Sequence, residues 1–136
     1  MRSGIELLAD VPGTGPLVDR QRTYLMRLRM WLNKGEAVRW NAPWGNSDRA
    51  RLEDDGATLI SDIRVHRENL ISGLFYGIDG MRIGGTRRLK ISPHMGYGPR
   101  GVPGSIAENA VLVVEVSILE EREDLNSFLN AVTRLD

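Results

Sequence analysis

Residues 73–118 read GLFYGIDGMRIGGTRRLKISPHMGYGPRGVPGSIAENAVLVVEVSI, and the order of elements in this stretch decides the fold. It ends in the clearest strand of the chain, Val111 to Ile118. Leu112, Val114, Val116 and Ile118 alternate there, so they share one face. Ser92 to Ala110, rich in Gly and Pro, reads as a loop. Gly84-Gly85 makes a tight turn into a strand around Arg87-Arg88-Leu89-Lys90-Ile91. Neighbouring strand residues face opposite ways, so Arg87 and Arg88 read as sheet surface rather than a phosphate clamp. Just upstream, Glu68 to Met81 carries Leu70, Ile71, Leu74, Phe75 and Ile78 at helical spacing. That predicts a short helix, with Gly80 at its C-terminal end.

Working outward, Tyr24, Met26, Leu28 and Met30 alternate with Arg27 and Arg29, which predicts a strand with one apolar face. Trp31 to Gly35 reads as a strand end and hairpin turn, and Val38 to Trp40 as the return strand. Residues 41–58 read as a long polar loop, a feature that is usually functional. Alternation resumes weakly from Leu59 through Ile63 and Val65. Gly4 to Val11 is a short strand, closed by the turn Pro12-Gly13-Thr14-Gly15-Pro16. From Leu119 to Asp136, Leu125, Phe128, Leu129, Val132 and Leu135 have helical spacing. They predict an amphipathic helix that packs on its own domain or pairs with a second copy as a homodimer. Many strands, non-local connections and one central helix predict an α+β fold with an antiparallel sheet.

The composition limits the chemistry. The 136 residues suit one domain and include no cysteine, which excludes thiol catalysis, disulfides and zinc thiolates. Two histidines, His66 and His94, stand far apart, so no metal site is expected. No Gly-x-Ser-x-Gly elbow appears, and Gly80 to Gly85 lacks the spacing of a nucleotide loop. No cofactor is expected. Eighteen basic and eighteen acidic residues give zero net charge, so neither nucleic acid nor membrane is expected as a partner. The arginines 20, 22, 27 and 29 have only Tyr24 and Trp31 beside them, a thin basis for a nucleic-acid surface. The first eight residues carry Arg2 and Glu6 and lack a signal-peptide core, and no run is long enough to span a membrane. The expected location is cytoplasmic.

The ordered set Gly73, Gly77, Gly80-Met81, Gly84-Gly85, Ile91-Ser92-Pro93, Gly96-Tyr97-Gly98, Gly101 to Ile106 and Leu112 to Val116 resembles the FKBP-type peptidyl-prolyl cis-trans isomerases. Gly13 to Pro16 and Leu32 to Gly35 fall where that family places similar elements, so the likeness covers about residues 4–119. It implies a half-barrel of about five strands wrapped around a short helix, with a pocket between them. The domain would then be residues 1–119 with an insertion at 41–58, followed by a helical segment at 120–136. The implied activity is rotation of Xaa-Pro amides in an apolar pocket, acting on proline-containing peptides or unfolded segments. A non-catalytic binding or chaperone module on the same fold is the alternative.

The resemblance implies site residues one by one. Tyr97 matches the family's carbonyl-binding Tyr. Leu70-Ile71 matches the pair that opens the helix, with the Ile71 N–H as a second donor. Ile106 matches the Ile before the last strand. Elsewhere the chain departs from the pattern. Leu28 stands for a Tyr, Val38-Arg39 for a Phe-Asp pair, Leu74 for the Trp of the pocket floor, Val114 for a Phe and Ser61 for another. The implied pocket is apolar, poor in aromatics and without its usual carboxylate. Weakened isomerase activity and poor macrolide binding are expected. Trp40 and Trp44 either restore an aromatic wall or pack on the sheet edge. Phe75 and Tyr76 contact the 41–58 loop or a partner, or shift the helix register so that Phe75 becomes the floor.

Overall fold

The computed structural model describes residues 1–33, 35–40 and 50–122. Among them, six strands form one antiparallel sheet: β1 (Ile5–Val11), β2 (Thr23–Leu32), β3 (Arg51–Glu53), β4 (Thr58–Arg64), β5 (Thr86–Ile91) and β6 (Leu112–Arg122). Their spatial order is β1-β5-β6-β2-β4-β3. The long strands β2 and β6 pair at the centre, with Met26 opposite Ile118, Leu28 opposite Val116 and Met30 opposite Val114. All six side chains are buried, so the period-two pattern of both strands defines the inner face of the sheet.

One short helix, α1 (Ser72–Gly77), lies against that face. Gly73 and Gly77, four residues apart, turn the same side of the helix to β5. A methyl group at Gly73 would stand 2.5 Å from Ile91, and one at Gly77 2.6 Å from Leu89. Glycine lets the helix approach the sheet closely, and the branched side chains of Leu89 and Ile91 fill the space. Arg87 fastens the other end of α1. Its guanidinium donates to the Gly77 and Asp79 carbonyls at 2.9 and 2.6 Å and meets Asp10 of β1 at 3.3 Å. These are carbonyls that a helix end leaves unsatisfied. Arg88 faces the other way and pairs with Glu115 at 3.0 Å.

The structure corrects several expectations. The helix expected over 68–81 is confined to Ser72–Gly77, because Ile71 is extended (ψ 151°) and residues 66–70 form turns around His66. The sheet has six strands rather than about five. The sixth, β3, lies inside the segment expected to be loop at 41–58, where Arg51, Leu52 and Glu53 pair with Ile60, Leu59 and Thr58. A 3-10 turn at Asp54–Gly56 joins β3 to β4. The return strand expected at Val38 to Trp40 is only a short contact: Ala37 bridges Trp31, and the Val38 N–H donates to the Met30 carbonyl. The helix expected from Leu119 cannot begin there, since β6 runs on to Arg122, which pairs with Thr23 of β2. The expected helix beyond it, like Lys34 of the hairpin turn and Trp44, lies outside the described residues. No described helix is long and apolar enough to cross a membrane.

Candidate active site

A cavity of about 230 Å³ opens between α1, the end of β2 and the loop that follows β5. Leu74 and Ile71 form its helix side, Met30 its sheet side, and Trp40 and Tyr97 two aromatic walls. Glu68, Asn69 and Leu70 complete it on the approach to the helix. It is smaller than the ~300–1,000 Å³ of sites for drug-sized ligands, so it suits a group the size of a single ring.

Each wall has a local cause. Leu74 is the helix residue beside Gly73, so the side of α1 that it occupies follows from the glycines docking on β5. Ile71 sits just before α1. Its carbonyl accepts from the Leu74 and Phe75 amides, while among the described residues its own N–H meets no backbone carbonyl. That free amide is characteristic of the first turn of a helix. Tyr97 is held by a hydrogen-bonded loop: Gly98 donates to the Pro93 carbonyl, Gly101 to that of Tyr97, and Asn109 to that of Gly98. Val102 and Ile106 exchange two backbone bonds of 2.8 Å, which close the loop on itself. Gly101 has φ +60°, and a Cβ there would collide with the Ile106 and Ala107 carbonyls, so the closure requires glycine.

Tyr97 is half-buried, and among the described residues its hydroxyl has no hydrogen-bond partner. Burial pushes its pKa above the usual phenol range, so it stays a neutral donor well past neutral pH. Trp40 is placed by its backbone, whose N–H donates to the Gly56 carbonyl at 2.8 Å.

The cavity gathers Tyr97, Leu70, Ile71, Leu74 and Trp40 from the residues singled out in the sequence, but not the others that the structure describes. Ile106 is buried under the loop and does not line it. Leu28 and Val114 lie fully buried in the core beside it. Val38 is buried next to Met30, to which its amide is bonded. Ser61 is buried on the inner face of β4, opposite Met26. Arg39 is exposed and turns to Asp55, with an ion pair at 3.4 Å and a hydrogen bond to the Asp55 carbonyl. Phe75 is not the floor. It is buried away from the cavity, edge-on to Tyr76 with centroids 5.0 Å apart, and lies under the Arg20 guanidinium at 4.7 Å. Met30, Glu68 and Asn69 were missed. Met30 carried a signal, since it is the next inward residue of β2 after Leu28.

Fold and cavity together define a domain with a small cavity between an antiparallel sheet and a short helix. A family model described as FKBP-type peptidyl-prolyl cis-trans isomerase matches residues 52–119, half of the chain. The chain belongs to this family.

Among curated relatives, it is 29% identical over 115 residues to FK506-binding protein 1 of Gibberella zeae, covering 85% of this chain and 96% of that protein. It is 45% identical over 58 residues to FK506-binding protein 4 of Chaetomium thermophilum, covering 43% of this chain but only 12% of that much longer protein. Among solved structures, FkpA of Escherichia coli superposes with a TM-score of 0.62 at 25% identity, over 87% of this chain and 47% of that one. A peptidyl-prolyl cis-trans isomerase of Pseudomonas syringae pv. tomato superposes with a TM-score of 0.61 at 23% identity, over 88% of this chain and 74% of that one.

Proposed function

We propose that this domain rotates Xaa-Pro amides, with proline-containing peptides or unfolded segments as substrates and with lower efficiency than relatives that have a full aromatic wall. The observation that carries this is the meeting of Ile71, Leu74, Trp40 and Tyr97 around one ring-sized cavity. Amide rotation faces a barrier of ~18–20 kcal/mol because the C–N bond has double-bond character. No bond breaks, so neither nucleophile nor metal is required. What lowers the barrier is tighter binding of the twisted amide than of either planar isomer. The planar amide is the more polar form and loses more hydration against Leu74, Met30 and Trp40. In this reading the Ile71 N–H and the Tyr97 hydroxyl, both on residues that line the cavity, are the donors that hold substrate carbonyls.

The lower efficiency follows from the floor. Leu74 presents less surface than an indole, and aromatic side chains bury ~150–250 Å² each. Trp40 supplies one aromatic wall from a different element. The small volume also argues for weak binding of macrolides. One observation favours a non-catalytic binding module instead: Arg39, which by the resemblance replaces a family carboxylate, turns to Asp55.

A proline-isomerisation assay on a short peptide tests the proposal. Catalysis is expected from the parent, a loss of about two- to tenfold from Tyr97→Phe, the scale of one hydrogen bond, and a gain from Leu74→Trp. A parent rate equal to that of buffer would overturn the isomerase reading. A parent rate equal to that of a relative with full aromatic walls would overturn the claim of lower efficiency.

A further inference from the structure

We propose that Glu68 sets substrate preference, favouring a basic residue beside the proline. This rests on the isomerase reading of the cavity and adds the class of sequence that the cavity takes. Glu68 is the only carboxylate among the described residues that line the cavity. Its side chain is exposed, and no described cation pairs with it.

The backbone that carries Glu68 is fixed. Its N–H donates to His66 Nδ1 at 3.0 Å, and the Asn69 and Leu70 amides donate to the His66 carbonyl at 3.0 and 3.2 Å. The arginines nearest in sequence are directed elsewhere: Arg64 donates to the Gln21 carbonyl at 3.2 Å, and Arg67 lies 5.6 Å from the Tyr76 ring. Arg39, next to Trp40 in the chain, is paired with Asp55. The rim is therefore anionic at one point, beside two aromatic walls. A carboxylate next to Trp40 and Tyr97 is the chemistry that receives a lysine or arginine side chain, through an ion pair at its tip and apolar or cation–π contact along its stem. A glutamate in the same substrate position meets repulsion. The pattern differs from a pocket whose acid sits at the Arg39 position, because the charge approaches from the helix side of the cavity.

The test compares peptides that differ only in Lys, Leu or Glu before the proline. Two readouts are recorded for each, kcat/KM for isomerisation and peptide affinity from tryptophan fluorescence. The parent is expected to prefer Lys-Pro over Glu-Pro by about fivefold at low salt, the scale an exposed ion pair supplies. The ratio should shrink at ~1 M salt, where the Debye length is about 3 Å. Glu68→Gln should bring the ratio close to one, and Glu68→Lys should invert it. Glu6→Gln, which removes the same charge from the edge strand β1, should leave the ratio as in the parent.

A Lys preference that persists in Glu68→Gln, or no preference in the parent, would overturn the role of Glu68 while catalysis stands. Absence of turnover together with Glu68-dependent binding of the Lys peptide would overturn the isomerase reading and leave the preference intact.

Discussion

The two sides of helix α1 follow different rules. Towards β5, Gly73 and Gly77 meet Ile91 and Leu89 with no room for one added carbon. Towards the cavity, Leu74 and Ile71 border about 230 Å³ of open space. The first side is a fitted joint in which one glycine and one branched side chain specify each other. Leu74 on the second side is also buried, but it borders open volume, so a larger side chain there has space to enter. The glycine joint thus positions α1 from a side other than the one that lines the cavity. An aromatic wall can then be supplied by Trp40, outside the helix, without disturbing α1.

Substitutions can break this contrast. The largest effect is expected on the fitted side, where Ile91→Ala removes a fully buried side chain and should cost about 2–5 kcal/mol in urea unfolding. Next is Gly73→Leu, which forces atoms into Ile91 and should cost about 1–3 kcal/mol. Its neighbour provides the sharper comparison. Leu74→Trp adds more atoms than a methyl group, yet the cavity receives them, so the cost should stay below about 1.5 kcal/mol. Equal losses for Gly73→Leu and Leu74→Trp would mean that the two sides are equally tight.

The smallest effect is expected from alkali. Burial raises the pKa of both Tyr97 and Tyr24, so the folded state holds these protons more tightly than the unfolded chain. Their contribution to stability is fully present below a pH of about 10 and is lost as pH rises through the higher folded values. Tyr97→Phe should flatten part of that alkaline decline in thermal melts; an unchanged decline would contradict the burial of its hydroxyl.

Much of the framework was legible in the residues. The alternation of β2 and β6 marked the inner face, and the spaced glycines from Gly73 to Gly104 carried the resemblance. Three features were not legible, each for a physical reason. The Leu119 to Arg122 segment consists of helix formers, but pairing with β2 overrides that preference and extends the strand. The edge strand β3 is three residues long and mostly charged, so it leaves no periodic signal. The apolar spacing of Leu70 and Ile71 imitates another helical turn, although Ile71 is extended and serves the cavity instead.

At the site, Tyr97 and Ile71 could be named because they stand in local motifs. The direction of Arg39 and the choice between Leu74 and Phe75 depended on contacts distant in sequence. Arg39 is drawn to Asp55, sixteen residues away, and Phe75 is held under Arg20.

The most direct test of the central claim is an NMR exchange measurement of cis and trans prolyl signals in a short peptide, with and without the protein. Substoichiometric parent protein is expected to accelerate exchange, Tyr97→Phe to do so less, and the peptide to shift the Trp40 indole signal. Peptide-induced shifts at Trp40 and Tyr97 with no acceleration of exchange would contradict that claim, and would identify the cavity as a binding site without catalysis.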